Sequence, residues 1–236
     1  MKNTTTIALK ELKSYLTSPM AYIVTGIFLA LTGTFFALSS ATYNETNIEG
    51  FSNPGSMLLL LFSAVLTMRL IAEEKKLGTW ELLLTAPVRD SEVVLGKFLA
   101  SLALLSGMLL LTLYYPLLLW VFGDPDGGPI FTSYVGLFLL GSAVLSVGLF
   151  ASSVTSNQIV AAVVAGGILA ALWFTGMAAG YAPEAVSKII SYLSLSGYFP
   201  GFMRGIIDTR AIVYYLSVTA LFLFLAVRSL EAGRWR

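Results

Sequence analysis

Cysteine and histidine are both absent from this 236-residue sequence. Without cysteine there can be no disulfides and no thiol chemistry. Without histidine the chain lacks the commonest metal ligand and the commonest general base. Charged residues make up only 11% of the chain, against about 25% in an ordinary soluble domain. Since 57% of the residues are hydrophobic, we predict an integral membrane protein.

The sequence also lacks the motifs of nucleotide-binding and hydrolytic sites. The Gly96-Lys97 pair is followed by Phe98 and has no glycine five residues before it, so it does not form a P-loop. HExxH and GxSxG do not occur either. The net charge is +1 and there is no basic tail. We therefore predict no enzymatic activity, no cofactor or metal in this chain, and no nucleic-acid partner.

Six apolar stretches are long enough to cross a bilayer, which takes about 20 residues. They cover about residues 22–41, 54–72, 94–122, 133–153, 159–182 and 211–227. Ser52 or Asn53 is expected to cap the second span, and Asp90 or Ser91 the third. Pro116 is expected to kink the third span, and the polar run 152–158 to form the turn between the fourth and fifth. The prediction is an all-α, polytopic membrane protein with one domain, residues 1–236.

The distribution of positive charge predicts the orientation of these spans. Eleven of the 14 Lys and Arg residues fall on the side that carries both termini. Positively charged loops stay in the cytoplasm, so both termini are predicted to be cytoplasmic, in the inner membrane. The apolar part of the first span is too long for a cleaved signal peptide.

Two segments outside the spans are amphipathic. Before the first span, Ala8, Leu9, Leu12 and Leu16 recur at helical spacing, and Lys10, Lys13, Ser14 and Thr17 face the other way. Such a helix lies at the membrane interface with its lysines toward anionic lipid. It either anchors the topology alone or also touches a cytoplasmic partner. The second segment, Glu184 to Leu195, precedes chain breaks at Gly197, Pro200 and Gly201 and is expected to be an external lid or cover.

The loop between the second and third spans is the most informative part of the chain. Gly78 suits the C′ position of the preceding helix, whose last turn carries two lysines. Thr79 can cap a short helix, Trp80 to Ala86, which Pro87 stops. A short helix between two spans either transmits force from a cytoplasmic protein or simply connects the spans.

The spans contain almost no acidic residues, so the sequence lacks the buried ionisable chain expected of ion-coupled transport. Arg69 is close enough to a span end to extend its guanidinium out of the bilayer. A transporter of this composition would draw its energy from elsewhere, and an ATPase pressing on the short helix would fit. Gly176 and Gly180 on the fifth span permit close helix approach, either within one chain or between two.

Four segments carry a resemblance to a known family. In chain order they read KELKSYLTSPMAYIVTGIF, MRLIAEEKKLGTWELLLTAPV, GLFASSVTSNQIVAA and RGIIDTRAIVYYLS. They resemble segments of ABC transporter permeases of the type-2 exporter superfamily, specifically the gliding-motility permease family. The second segment is the most specific. Its Lys75-Lys76-Leu77 departs slightly from the pattern, in which one basic residue is followed by Thr or Gln.

The resemblance implies two membrane domains and a cytoplasmic ABC ATPase dimer that binds ATP and Mg²⁺. It also implies an N-terminal elbow helix, short external helices before the last span, and a coupling helix at about 79–86 that docks on the ATPase. The predicted coupling residues are Glu73, Glu74, Gly78, Thr79, Trp80, Glu81, Leu82, Leu83 and Pro87.

The sequence thus predicts the permease subunit of an ABC exporter. Its partners would be the ATPase dimer, a second permease chain, membrane lipid and an envelope accessory protein. The uncharged spans favour a lipid-like, peptide or lipoprotein cargo. Two alternatives are open. The same fold can transmit force or signal to an envelope partner without transport, or the chain can be a membrane scaffold that uses no ATP.

Overall fold

The computed structural model describes residues 2–43, 48–80, 88–179, 183, 187 and 190–233. No β-strand occurs among these residues. The helices are α1 (Lys2–Thr17), α2 (Pro19–Tyr43), α3 (Glu49–Thr67), α4 (Ala72–Lys76), α5 (Asp90–Leu111), α6 (Tyr114–Phe122), α7 (Gly127–Val154), α8 (Gln158–Ala179), α9 (Phe199–Met203) and α10 (Thr209–Gly233).

Six helical stretches within the described residues are long and apolar enough to cross a membrane. They are Pro19–Ser40, Glu49–Lys76, Asp90–Phe122, Gly127–Val154, Gln158–Met177 and Thr209–Ala232. The predicted all-α fold with six spans is therefore confirmed. The turn predicted at 152–158 is also found, because α7 ends at Val154 and the side chain of Asn157 accepts a hydrogen bond from the Ile159 N–H at 2.9 Å.

Pro116 breaks the third span as predicted. A proline has no N–H to donate to the carbonyl four residues before it, and its ring crowds that carbonyl. Here α5 ends at Leu111, and the Thr112 carbonyl instead accepts from the Tyr115 N–H at 3.0 Å. The buried Tyr115 hydroxyl lies 2.8 Å from the Thr32 hydroxyl and donates to the Leu29 carbonyl at 3.0 Å. The break is thereby held against the first span.

The predicted helix caps were wrong. The second span begins at Glu49, Ile48 occupies the cap position without a side-chain hydrogen bond, and Pro54 lies inside the helix. Ile48 and Phe51 are buried, so burial of these apolar side chains extends the helix beyond Ser52 and Asn53. The third span is capped by Arg89, whose N–H donates to the Glu92 carboxylate at 3.1 Å, one residue before the predicted Asp90 or Ser91.

The fourth span, α7, is the centre of the bundle. It is buried over most of its length and contacts the second, third, fifth and sixth spans. The first span packs on the second instead. Glycines let neighbours approach α7 closely: a Cβ at Gly136 would lie 2.8 Å from Phe202 Cγ, and Cβ atoms at Gly141 and Gly148 would overlap Leu105 and Thr67. The first, fifth and sixth spans are mostly exposed and form the apolar outer surface.

This packing predicts a measurable cost at Gly148. Gly148→Ala should lower the free energy of unfolding by about 1–3 kcal/mol, because the added methyl group overlaps the Thr67 side chain. Thr67→Ala in the same chain should recover part of that loss. The check is SDS-induced unfolding in mixed micelles. Gly167→Ala is the matched control, because nothing lies within 4 Å of its Cβ position; equal effects of the two alanines would refute the packing explanation.

On the side opposite the termini, the chain breaks predicted at Pro200 and Gly201 are not found. Both residues lie in the short helix α9, with Pro200 in its first turn and Phe199 and Phe202 buried. A Cβ at Gly176 would lie 2.7 Å from the Ser194 hydroxyl, which supports packing within one chain as the role of this glycine. Gly180 and most of 184–189, the first half of the predicted amphipathic segment, lie outside the described residues.

Candidate coupling site

The second span does not end in a straight helix. α3 ends at Thr67, a turn follows, and α4 begins at Ala72. The buried Ser152 hydroxyl of α7 accepts from the N–H groups of Ile71 at 3.1 Å and Ala72 at 3.0 Å, and donates to the Met68 carbonyl at 3.1 Å. Lys75 also donates to the Ser153 carbonyl. The central span therefore fixes the bend that leads into the predicted coupling loop.

Ser152→Ala should lower the free energy of unfolding by about 2 kcal/mol or more, because two buried N–H groups lose their acceptor. Ser146→Ala is the matched control. Ser146 is equally buried on the same helix, but its hydroxyl bonds only to the Ala143 carbonyl one turn away, so its loss should cost less than about 1 kcal/mol. SDS titration measures the free energy of unfolding of both variants. Similar losses of stability would show that the bend does not depend on Ser152.

Gly78 adopts the left-handed conformation, with φ of +71°, which favours glycine. The Leu77 N–H donates to the Glu73 carbonyl at 2.9 Å as α4 ends, so Gly78 occupies the predicted C′ position. Thr79 follows, and its hydroxyl donates to the Glu74 carbonyl at 3.3 Å. The side chain of Trp80 is half-buried against the hydrophobic core.

The rest of the predicted coupling helix lies outside the described residues. This applies to Glu81, Leu82, Leu83 and Pro87. The short helix and its contact with an ATPase therefore stay predictions. The described part of the loop consists of a bend held by Ser152, one turn of α4, and a left-handed turn at Gly78.

A buried lysine joins three parts of the chain beneath this loop. Lys97 of α5 is 1% exposed, and its Nζ lies 3.0 Å from Glu11 Oε1 of α1 and 2.9 Å from Glu74 Oε1 of α4. Lysine is rarely fully buried unless it is paired, and here it has two carboxylate partners. We call Glu11, Glu74 and Lys97 the Lys97 triad; it joins α1, the end of the second span and the start of the third.

The triad was not predicted from the sequence, in which Lys97 was considered as a P-loop lysine and then counted as a charge on the terminal side. A signal was present in the preceding Gly96. A Cβ at that position would lie 2.7 Å from Ile7 Cγ2, so the glycine lets α1 lie directly on α5. At the helix start, Asn3 Nδ2 donates to the Glu92 carboxylate at 3.2 Å. The pairing of α1 with α5 is thus fixed by a close approach flanked by polar contacts.

A cavity of about 300 Å³ lies beside the triad. Its charged lining has three residues of each sign: Lys10, Arg69, Lys97, Glu11, Glu73 and Glu74. Arg69 stacks on the Tyr15 ring at 5.7 Å and donates to the Ser18 hydroxyl at 3.2 Å. The buried Tyr15 hydroxyl donates to the Leu66 carbonyl at 2.9 Å, and burial, followed by the nearby Glu11 charge, raises its pKa. Tyr15 therefore stays neutral and acts as a hydrogen-bond donor.

The outer face of α1 differs from the face that packs on the bundle. Ile7, Glu11 and Tyr15 face the protein, whereas Leu9 and Leu16 of the predicted apolar stripe are exposed. These two leucines are thus free to contact lipid, and a role as an elbow helix at the membrane surface stays a prediction. No group of three His, Cys, Asp or Glu that could hold a metal occurs within the described part of the chain.

Comparison with known proteins identifies the family. The family described as "ABC-2 family transporter protein" matches residues 5–230. The probable multidrug ABC transporter permease YbhS, from Escherichia coli K12 and from E. coli O157:H7, is 30% identical over 184 residues. That similarity covers 74% of this chain and 47% of YbhS, so the chain spans about half the length of the curated relatives it matches. With nearly its whole length matched, the chain belongs to the ABC-2 family of transporter proteins.

Proposed function

We propose that this chain is the permease subunit of an ATP-driven ABC exporter and works with a separate cytoplasmic ATPase dimer. The observation that carries the proposal is the Lys97 triad, in which the predicted coupling residue Glu74 is held by a buried lysine. Family membership and the similarity to a permease support it. ATP and Mg²⁺ would bind to the ATPase, and this chain would convert the movement of the ATPase into movement of the spans.

The contacts define a route for that movement. A force on the short helix at 79–86 enters α4 through Gly78. From α4 it passes along the Glu74–Lys97 pair to the third span and, through Glu11, to α1. A second branch reaches the fourth span through the hydrogen bonds to Ser152. Because both branches begin at the five-residue helix that ends the second span, or at the residue before it, a small displacement there moves the second, third and fourth spans together, and α1 with them.

We propose that two permease chains form the transport unit and that the groove between the second and fifth spans belongs to the transport path. This groove encloses about 380 Å³ and is lined by apolar side chains that include Met57, Leu61, Trp173 and Phe174. Its surface suits an apolar or amphiphilic cargo, such as a lipid, a peptide or a lipoprotein. Both termini would be cytoplasmic in the inner membrane, and the gliding-motility subfamily and an envelope partner remain part of the proposal.

The test is purification of the tagged chain from native membranes under mild conditions. We expect an ABC ATPase to co-purify in equal number with the permease, two of each per complex by native mass spectrometry. Complexes that contain single permease chains would contradict the dimer. ATP hydrolysis with no substrate movement, together with an envelope protein, would favour force or signal transmission. Absence of any ATPase would leave the scaffold alternative.

The orientation has a separate test. Reporter fusions at either terminus should report a cytoplasmic location, since 11 of the 14 Lys and Arg residues share that side. A fusion after Asp124, in the loop that joins the third and fourth spans, is the control and should report the outside. An external signal from either terminus would overturn the proposed topology.

A further inference from the structure

A second cleft lies between the first and third spans, away from the Lys97 triad. It encloses about 680 Å³, which is within the range of about 300–1,000 Å³ typical of ligand sites. The first span contributes residues between Ala21 and Leu29, the third span residues between Ala103 and Leu111, and α1 contributes Leu12 and Leu16. The walls of the cleft are almost entirely apolar.

Two glycines give the cleft its depth. Nothing lies within 4 Å of the position that a Cβ would occupy at Gly26 or at Gly107. Elsewhere in the bundle, at glycines such as Gly136 and Gly96, a neighbouring side chain occupies the space where a Cβ would lie. The first and third spans thus stand apart where other pairs of helices interlock. The hydroxyl of Tyr22, one of the few polar groups in the wall, already donates to the Leu16 carbonyl at 2.7 Å.

An apolar space at this depth does not hold water, because water needs two to four polar partners. Left empty, it would forfeit dispersion contacts along both walls. Its length selects the occupant. From Ala21 to Leu29 the helix rises about 12 Å, which is shorter than the hydrocarbon of one leaflet, about 15 Å. A helix of a second chain would cross both leaflets, whereas an acyl chain needs only one.

One exposed cation lies beside the cleft. Lys13 is exposed and lies one helical turn before Leu16, which lines the cleft. The only acidic residue of α1, Glu11, faces the bundle and pairs with Lys97. The outer face of α1 therefore presents lysine without a competing carboxylate. Basic residues beside a membrane surface attract anionic lipid headgroups, each contributing about 1 kcal/mol.

We propose that this cleft binds an acyl chain of an anionic phospholipid from the leaflet on the side of the termini, with its headgroup at Lys13. The lipid fills the gap between the first and third spans and holds α1 at the membrane surface. This site is separate from the groove between the second and fifth spans, and it does not depend on the coupling proposed above.

The test places a bulky side chain in the cleft and measures lipid binding. The full-length protein is purified in detergent and titrated with dioleoyl phosphatidylglycerol, and bound lipid is counted by native mass spectrometry. Gly107→Phe should weaken binding at one site per chain about tenfold, because the ring occupies the acyl-chain space. Gly167→Phe is the matched control, because its Cβ also meets nothing within 4 Å and it lies outside both clefts; it should bind like the wild type.

The headgroup contact has its own variant. Lys13→Gln should weaken binding of phosphatidylglycerol about fivefold, which corresponds to about 1 kcal/mol, and leave binding of phosphatidylcholine unchanged. Arg210→Gln, at an exposed cation on the opposite side, should change neither. Equal lipid binding by Gly107→Phe and the wild type would overturn the proposal. So would a Gly107→Phe protein that keeps its lipid but no longer forms dimers, since the cleft would then belong to a second chain.

Discussion

Lys97→Met is expected to lower the free energy of unfolding by about 3 kcal/mol. Removal of one partner from a buried ion pair typically costs about 3–5 kcal/mol, because the remaining charge is left without compensation. Two carboxylates remain here, Glu11 and Glu74, with 16% and 23% of their side chains exposed. This residual exposure lets water reach them, which places the expected loss at the lower end. SDS titration in mixed micelles measures it.

A triple variant distinguishes the effect of the unpaired charges on stability from the effect of the changed side-chain shape. Lys97→Met combined with Glu11→Gln and Glu74→Gln removes all three charges at similar volume, and should recover most of the lost stability because no buried carboxylate remains without a partner. Lys76→Met is the control, since Lys76 is exposed at the end of α4, the helix that carries Glu74; its effect should be within about 0.5 kcal/mol. A single variant as stable as Lys76→Met would show that the triad contributes nothing to the fold.

The spans were predictable from sequence because the bilayer imposes a single strong requirement, about 20 apolar residues in a row. The break at Pro116 and the left-handed turn at Gly78 followed from the backbone chemistry of proline and glycine. Such effects are local, so a short stretch of sequence contains all the information that they need. The family was also predictable, because the motif of the loop between the second and third spans lies within one segment; the coupling helix itself stays a prediction.

The predictions failed where contacts with residues distant in the sequence determine the local structure. Ser52 or Asn53 was a reasonable cap by local preference, but burial of Ile48 and Phe51 moved the helix start to Glu49. The burial of Lys97 was not predicted, because its partners lie 86 and 23 positions away along the chain. Periodicity alone cannot reveal such a contact. The same holds for Ser152, whose acceptor role depends on which helix packs beside the bend.

The second large effect is expected at the predicted short helix. Replacing Trp80 and Glu81 together by alanine should weaken ATPase binding about thirtyfold, since truncation of a central anchor costs about 2 kcal/mol or more. Trp80 supplies apolar area, and Glu81, the only charge predicted on this helix, can pair with an ATPase cation. Because Trp80 is half-buried against the core, the unfolding of the variant is measured alongside, so that a loss of fold is not read as a loss of contact.

The most direct test of the permease assignment is therefore the affinity between the ATPase and this chain reconstituted in lipid nanodiscs. Three proteins are compared: the wild type, the Trp80→Ala/Glu81→Ala variant, and Trp120→Ala, which removes an exposed tryptophan at the other end of the third span. We expect a Kd about thirtyfold higher for the double variant and an unchanged Kd for Trp120→Ala. Unchanged binding by a folded double variant would mean that Trp80 only contacts lipid, and would contradict the assignment of the loop as the coupling site.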